Sequence, residues 1–249
     1  MWAIRPNRGK EILMPNHILP PVFDAGQPNE ALHPAQFRHS GPWGDNSALK
    51  RASDVAGTTF EKLAAAHEFR VTPGDDPFTH SGKLTHIVDE IGRGFASQWQ
   101  DAKDNLKRER SRVESDLTAK AGLKVNPDYR SAIVGVFSGL KESERMAAID
   151  AAIEAGEGAV LATLLEAPSL VTGLDAEQKA TIKARAFAKA DPNTHALLQE
   201  LDKATAKAER ASLAAIDAQM KLREGTDKFA KQTARSKQLE NQIRSGLAA

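Results

Sequence analysis

The stretch that decides the fold is KLTHIVDEIGRGFASQWQDAKDNLKRERSRVESDLTAKAG, residues 83–122. Leu84, Val88, Ile91, Phe95, Trp99, Ala102, Leu106, Val113 and Leu117 recur at helical steps, the spacing that gathers apolar side chains on one face of an α-helix. Gly122 stands where a left-handed C-cap is expected. Roughly 40 residues of helix extend about 60 Å, more than a compact domain requires. Phe95 and Trp99, one turn apart, read as core residues. Gly92 and Gly94 fall inside this amphipathic pattern, where a glycine serves to admit a close neighbour.

Working toward the N-terminus, Thr72 to Ser81 reads as a loop carrying Pro73, Gly74 and Pro77. Before it, Leu49, Ala52, Ala56, Phe60, Leu63 and His67 mark a helix from Ser47, its expected N-cap, to a stop ahead of Pro73. Residues 1–46 have another texture, since seven of the twelve prolines lie in the first 42 residues. Each proline removes an amide donor and turns its predecessor toward extended backbone, so this segment is expected to be an extended arm. Its apolar residues, among them Ile18, Val22, Phe23, Phe37 and Trp43, are more than a solvated linker needs, and read as anchors for a neighbouring surface. Met14 offers a second possible start of translation.

Toward the C-terminus, Asn126-Pro127 reads as a helix start, and Ile133, Val134, Phe137 and Leu140 supply a buried face. Short helices are expected at about 143–155 and 157–166, stopped by Pro168, and Asp175 with Gln178 forms a capping box for another toward Ala190. The segment from Thr194 to about Leu247 carries Leu197, Leu201, Ala204, Ala208, Ala211, Ala215 and Met220 at helical spacing, with Gly225-Thr226 as its expected kink or break. An alanine seam buries little area by itself, so Ala204, Ala208, Ala211 and Ala215 are expected to meet a close partner helix, either 83–121 or a counterpart in another subunit. The expected fold is all-α: an arm at 1–46, a helical hairpin with a long second helix at 47–122, a small acidic module at 126–191, and a long basic helix at 193–249.

Composition agrees with this outline. There is no cysteine among the 249 residues, which excludes disulfides, thiolate metal sites and thiol nucleophiles. Three tryptophans and one tyrosine are few for a β-sandwich or barrel. No run of 18 apolar residues and no signal-peptide pattern occurs, so a soluble, unprocessed chain is expected. The net charge of +1 hides two opposed regions. Residues 141–180 hold three basic and eight acidic side chains, whereas 203–244 hold ten basic and five acidic. Self-association of acidic module with basic helix, or DNA contact by the basic helix, follows from that split.

No motif carries catalysis. Ser47-x-x-Lys50 lacks the companion motifs of a serine acyl-enzyme. Residues 74–83 have the wrong spacing for a phosphate loop. His80 and His86, with Asp75, Asp76, Asp89 and Glu90, lack metal-ligand spacing. The run Lys107, Arg108, Arg110, Arg112 reads as a solvated helix face paired with nearby acids, with DNA contact as the other reading. No enzyme activity, metal or cofactor is expected.

The stretch SERMAAIDAAIEAGEGAVLATLLEAPSLVTGLD, residues 143–175, resembles a helical module of virion-associated proteins of tailed bacteriophages, in which a short helix, a glycine turn and an alanine-proline stop precede Ser/Thr-Gly-Leu and a further helix. The resemblance covers residues 126–190 and departs from that pattern at Val171-Thr172, where Leu-Ser is expected. It implies a structural or assembly protein at the neck, tail or capsid of a phage particle, with copies of itself and other virion proteins as partners. It transfers no catalytic residue. Two other expectations stand beside it: an internal virion protein ejected with the genome as a helical conduit, the one case that would meet a membrane, and a cellular, cytoplasmic DNA-associated or scaffold protein.

Overall fold

The computed structural model describes residues 30–38, 42–71 and 77–247, with side chains of the last helix described as far as Arg223. All regular structure among them is helical: α1 (Ser47–Val71), α2 (Pro77–Lys120), α3 (Arg130–Ser138), α4 (Glu142–Ala155), α5 (Gly158–Glu166), α6 (Ser169–Thr172), α7 (Ala176–Ala190) and α8 (Pro192–Leu247), preceded by short 3-10 turns. The fold is all-α. Among the described residues, no helix is long and apolar enough to cross a membrane.

Several helix ends differ from the sequence reading, each for a local reason. Asn46, and not Ser47, caps α1: its Oδ1 accepts from the amides of Ala48 and Leu49, as an N-cap oxygen does. The α2 helix starts at Pro77, so 77–81 belong to the helix where a loop was expected; proline lacks only an amide that the first turn leaves unbonded anyway. Residues 72–76 lie outside the described residues. The last helix begins at Pro192, with Asp191 accepting from both the amide and the hydroxyl of Thr194. It then runs unbroken through Gly225-Thr226. One internal glycine costs about 1 kcal/mol, too little to end a helix flanked by good helix formers. Gly122 is the expected left-handed terminus, at φ 62°, and the Asp175–Gln178 capping box is formed.

The chain divides into two compact units whose borders cut across the long helices. One comprises 34–56 and 98–211. In it α1 starts beside α2, where Asn46 Nδ2 donates to Glu109 Oε1 at 2.9 Å, and α8 runs antiparallel to α2, with Arg110 reaching Asp202 and Lys120 reaching Asp191. Ala204, Ala208 and Ala211 are fully buried. Helices α3 to α7 enclose a separate core around Ile149, Ile153, Leu161, Leu174 and Ile182.

The other unit comprises 57–97 and 212–247, with 30–33 among its described residues. Here Gln219 Nε2 donates to the Val88 carbonyl and Arg223 faces Asp89, the same antiparallel pairing of α8 with α2. Gln219 lies over Gly92, where a Cβ would meet its amide nitrogen at 1.6 Å, so that glycine does admit a close neighbour. Phe69 stacks on His80 at 4.4 Å, and His33 meets Phe60 edge-on.

Candidate functional site

Helix α3 presents Ile133, Val136 and Phe137 at helical spacing, and Leu140 follows just beyond its end. Phe137 turns inward and is 4% exposed, whereas Val136 is 71% exposed. Beside them α4 and α5 leave an open cleft of about 320 Å³, lined chiefly by Ile133, Val136, Phe137, Leu140, Val160 and Leu164. Every lining residue has an apolar side chain. Such a cleft offers a seat for aliphatic or aromatic groups; a reaction would need convergent polar groups, which this lining does not supply. Tyr129, Leu170 and Val171 add further exposed apolar surface on the same module.

Arg145 packs on Phe137, one of the residues that line the cleft. Its guanidinium lies over the Phe137 ring, 5.8 Å from the centroid, while Nη2 donates to the Ser138 carbonyl at 2.9 Å and Nη1 to the Thr172 carbonyl at 3.2 Å. One cation thus serves the C-terminal ends of both α3 and α6, where helix carbonyls point outward. Gly173 makes room for it. A Cβ there would come within 2.6 Å of Nη1, and its φ of 69° is itself unsuited to a side chain. Sequence reasoning missed Arg145; its one signal was a lone arginine in an acidic stretch.

A second uncovered apolar feature lies on α8. Leu213, Ile216 and Met220 follow at steps of three and four and are 66%, 51% and 60% exposed. Met220 was expected on the alanine face. The structure places it on the other side, because Ala211, Ala215, Ala218 and Leu222 occupy the buried one.

Of the anchors expected in the arm, Ile18, Val22 and Phe23 lie outside the described residues. Phe37 is 1% exposed and packs on Trp99 of its own chain at 6.1 Å. Trp43 is half-buried in the turn that precedes α1. The alanines at 204, 208, 211 and 215 are buried.

Charged side chains expected at the surface bind one another. Arg112 takes Glu109 through two nitrogens and also reaches Asp116. Arg110 bridges Glu114 and Asp202, and Lys183 of α7 closes on Glu114. The Lys183 hydrogen bond, then its charge and that of Arg110, hold the Glu114 carboxyl below the usual range against the opposing effect of burial. Asp202 raises the Arg110 pKa by its hydrogen bond. Arg112, and to a smaller extent Asn46, hold Glu109 low. Asp191 is held lower still by Lys120 and by the amide and hydroxyl of Thr194. Of the basic run on α2, Arg110 thus reaches α8 through Asp202, Arg108 and Arg112 bond along their own helix, and α7 is joined to α2 through Lys183 and Glu114.

The other candidate motifs do not converge. Ser47 and Lys50 are exposed on the first turn of α1, and His86 faces Glu90 while His80 lies on Phe69. Among the described residues, no group of three His, Asp or Glu side chains gathers at metal-binding distance. Fold and site together define an all-α protein of long paired helices bearing a small module with an open apolar cleft. Comparison with known protein families, with curated proteins and with solved structures gives no match.

Proposed function

We propose that the protein is a non-enzymatic structural or assembly component of a tailed-phage particle, at the neck, tail or capsid, which binds neighbouring subunits through its N-terminal arm and its exposed helix faces. The observation that carries this reading is that two apolar surfaces stay uncovered, the cleft on α3 to α5 and the stripe on α8, although both regions fill their own cores. Contiguous exposed apolar surface of this kind belongs to proteins that meet other proteins. The resemblance of residues 126–190 to phage virion modules gives the partner class, and the proline-rich arm supplies an extended segment suited to crossing onto a neighbour.

Mass spectrometry of gradient-purified particles from cells carrying the gene tests the reading. The expected result is a fixed copy number, equal in full and in emptied particles. Presence in full particles with loss on emptying would instead mark an ejected conduit protein. Absence from particles, together with DNA binding that falls steeply with salt, would mark a cellular DNA-associated protein.

A further inference from the structure

The two uncovered apolar surfaces differ in shape, and they lie in regions of opposite charge. The cleft is concave and set in a module where acidic residues outnumber basic ones by eight to three across 141–180. Exposed Glu142 and Glu144 open the helix that forms one of its walls. The stripe of Leu213, Ile216 and Met220 is a convex helix face, in a segment where basic residues outnumber acidic ones by ten to five across 203–244. Arg210 lies one turn before Leu213, and Lys221, which pairs with Asp217 at 2.8 Å, lies next to Met220; both cations are exposed. Both surfaces are exposed, so neither is covered by the described residues of its own chain.

We infer that the stripe of one copy seats in the cleft of a second, Leu213, Ile216 and Met220 entering the groove beside Val136 while Arg210 and Lys221 face the acidic module. This deepens the assembly reading above and rests on it. An amphipathic helix laid into an apolar groove uses side chains at these spacings, and opposite charge around the contact directs its orientation. The contact is heterologous: each copy offers a cleft to one neighbour and a stripe to another. Repeated, it closes into a ring or continues as a filament, in contrast to a two-fold dimer, where each surface meets itself.

The test uses the full chain, with mass in solution measured by light scattering and sedimentation over a concentration series. Val136→Glu spoils the cleft and Ile216→Glu the stripe; both sites are exposed, so circular dichroism should show unchanged helicity. Burying an unpaired carboxylate should weaken association at least about tenfold for either variant alone. The decisive sample is their mixture. An intact stripe on the Val136→Glu chain can enter the intact cleft of the Ile216→Glu chain, so the pair should form a species of twice the monomer mass and nothing larger. Wild-type association should also weaken as salt is raised.

A wild-type chain that stays monomeric, or two variants that associate as wild type, overturns the inference, as does failure of the mixture to pair. If removing residues 2–23 abolishes association while both point variants retain it, the arm is the occupant and the inference falls. The particle analysis above is independent, so a chain found at fixed copy number but failing the mixing test keeps the assembly reading and loses this contact.

Discussion

The alanine seam of α8 and the cleft beside α3 handle apolar surface in opposite ways. Along the seam the inward residues are small, and Ala204, Ala208 and Ala211 are fully buried. On α3 and just beyond its end the apolar residues are larger, and Ile133, Val136 and Leu140 line an opening that α4 and α5 do not fill. Side-chain size at helical spacing thus decides which surfaces close within one chain and which stay open for another. The seam is closed, and the cleft is open.

The hardest way to strain the closed packing is at the start of α5. A Cβ on Gly158 would lie 2.2 Å from the Ala121 carbonyl oxygen and 2.4 Å from that of Gly122, and backbone cannot rotate aside as a side chain does. Gly158→Ala should cost about 3 kcal/mol in urea-unfolding stability, at the upper end of overpacking effects. Ala208→Leu or Ala211→Leu should follow, at about 1–3 kcal/mol each, while the exposed Lys203→Gln stays within about 0.5 kcal/mol of wild type. Equal stability of all three variants would mean that the seam is not close-packed.

Acid should act on the ion pairs and hydrogen bonds that tie α2 to its neighbours. Glu109 and Glu114 have pKa values held below the ordinary 4.5, and Asp191 below 3.8. A carboxylate with a depressed folded pKa binds fewer protons folded than unfolded. Its contribution is therefore complete above its ordinary value and is lost as pH falls through the folded one. Burial, and then the charge of Arg70, hold the His67 imidazole below its ordinary 6.5, so the urea midpoint should begin to fall below about pH 6.5 and fall further below about 5, where the carboxylates take up protons in the unfolded chain. Glu114→Gln should make that decline shallower. The smallest effect belongs to Gly92→Ala. Its clash is only with the end of the Gln219 side chain, which can swing away at the loss of a hydrogen bond worth about 1 kcal/mol. The helix gains roughly as much from alanine, so stability should change little, in contrast to Gly158.

Much of the architecture was legible in the sequence. The 84–117 periodicity located α2, and Asp175 with Gln178 marked α7, because both signals are local. Neighbouring caps were harder to separate: Asn46 and Ser47 are both good N-caps, and only the bonds to Ala48 and Leu49 assign the role. Asp191-Pro192 carried a start signal of equal strength to Thr194. The cleft was not legible. Spacing tells which residues share a helix face, whereas the openness around Val136 depends on how far α4 and α5 extend over it. Arg145 escaped notice for a similar reason, since its acceptors, Ser138 and Thr172, lie 7 and 27 residues away.

The turn from α7 into α8 takes a single residue, Asp191, whose side chain also holds Lys120 at the end of α2. Contacts inside the module join segments close in sequence, but Arg110 meets Asp202 across 92 residues and Gln219 meets Val88 across 131. During synthesis the module can therefore collapse first, while the apolar face of α2 waits for the last helix to leave the ribosome. Once folded, the module leaves the end of α2 beside the beginning of α8, where Lys120 meets Asp191, and so shortens the loop that the long helices have to close. A truncated chain that stops short of Leu201 leaves the part of α2 around Arg110 without its partner in α8 and prone to aggregate.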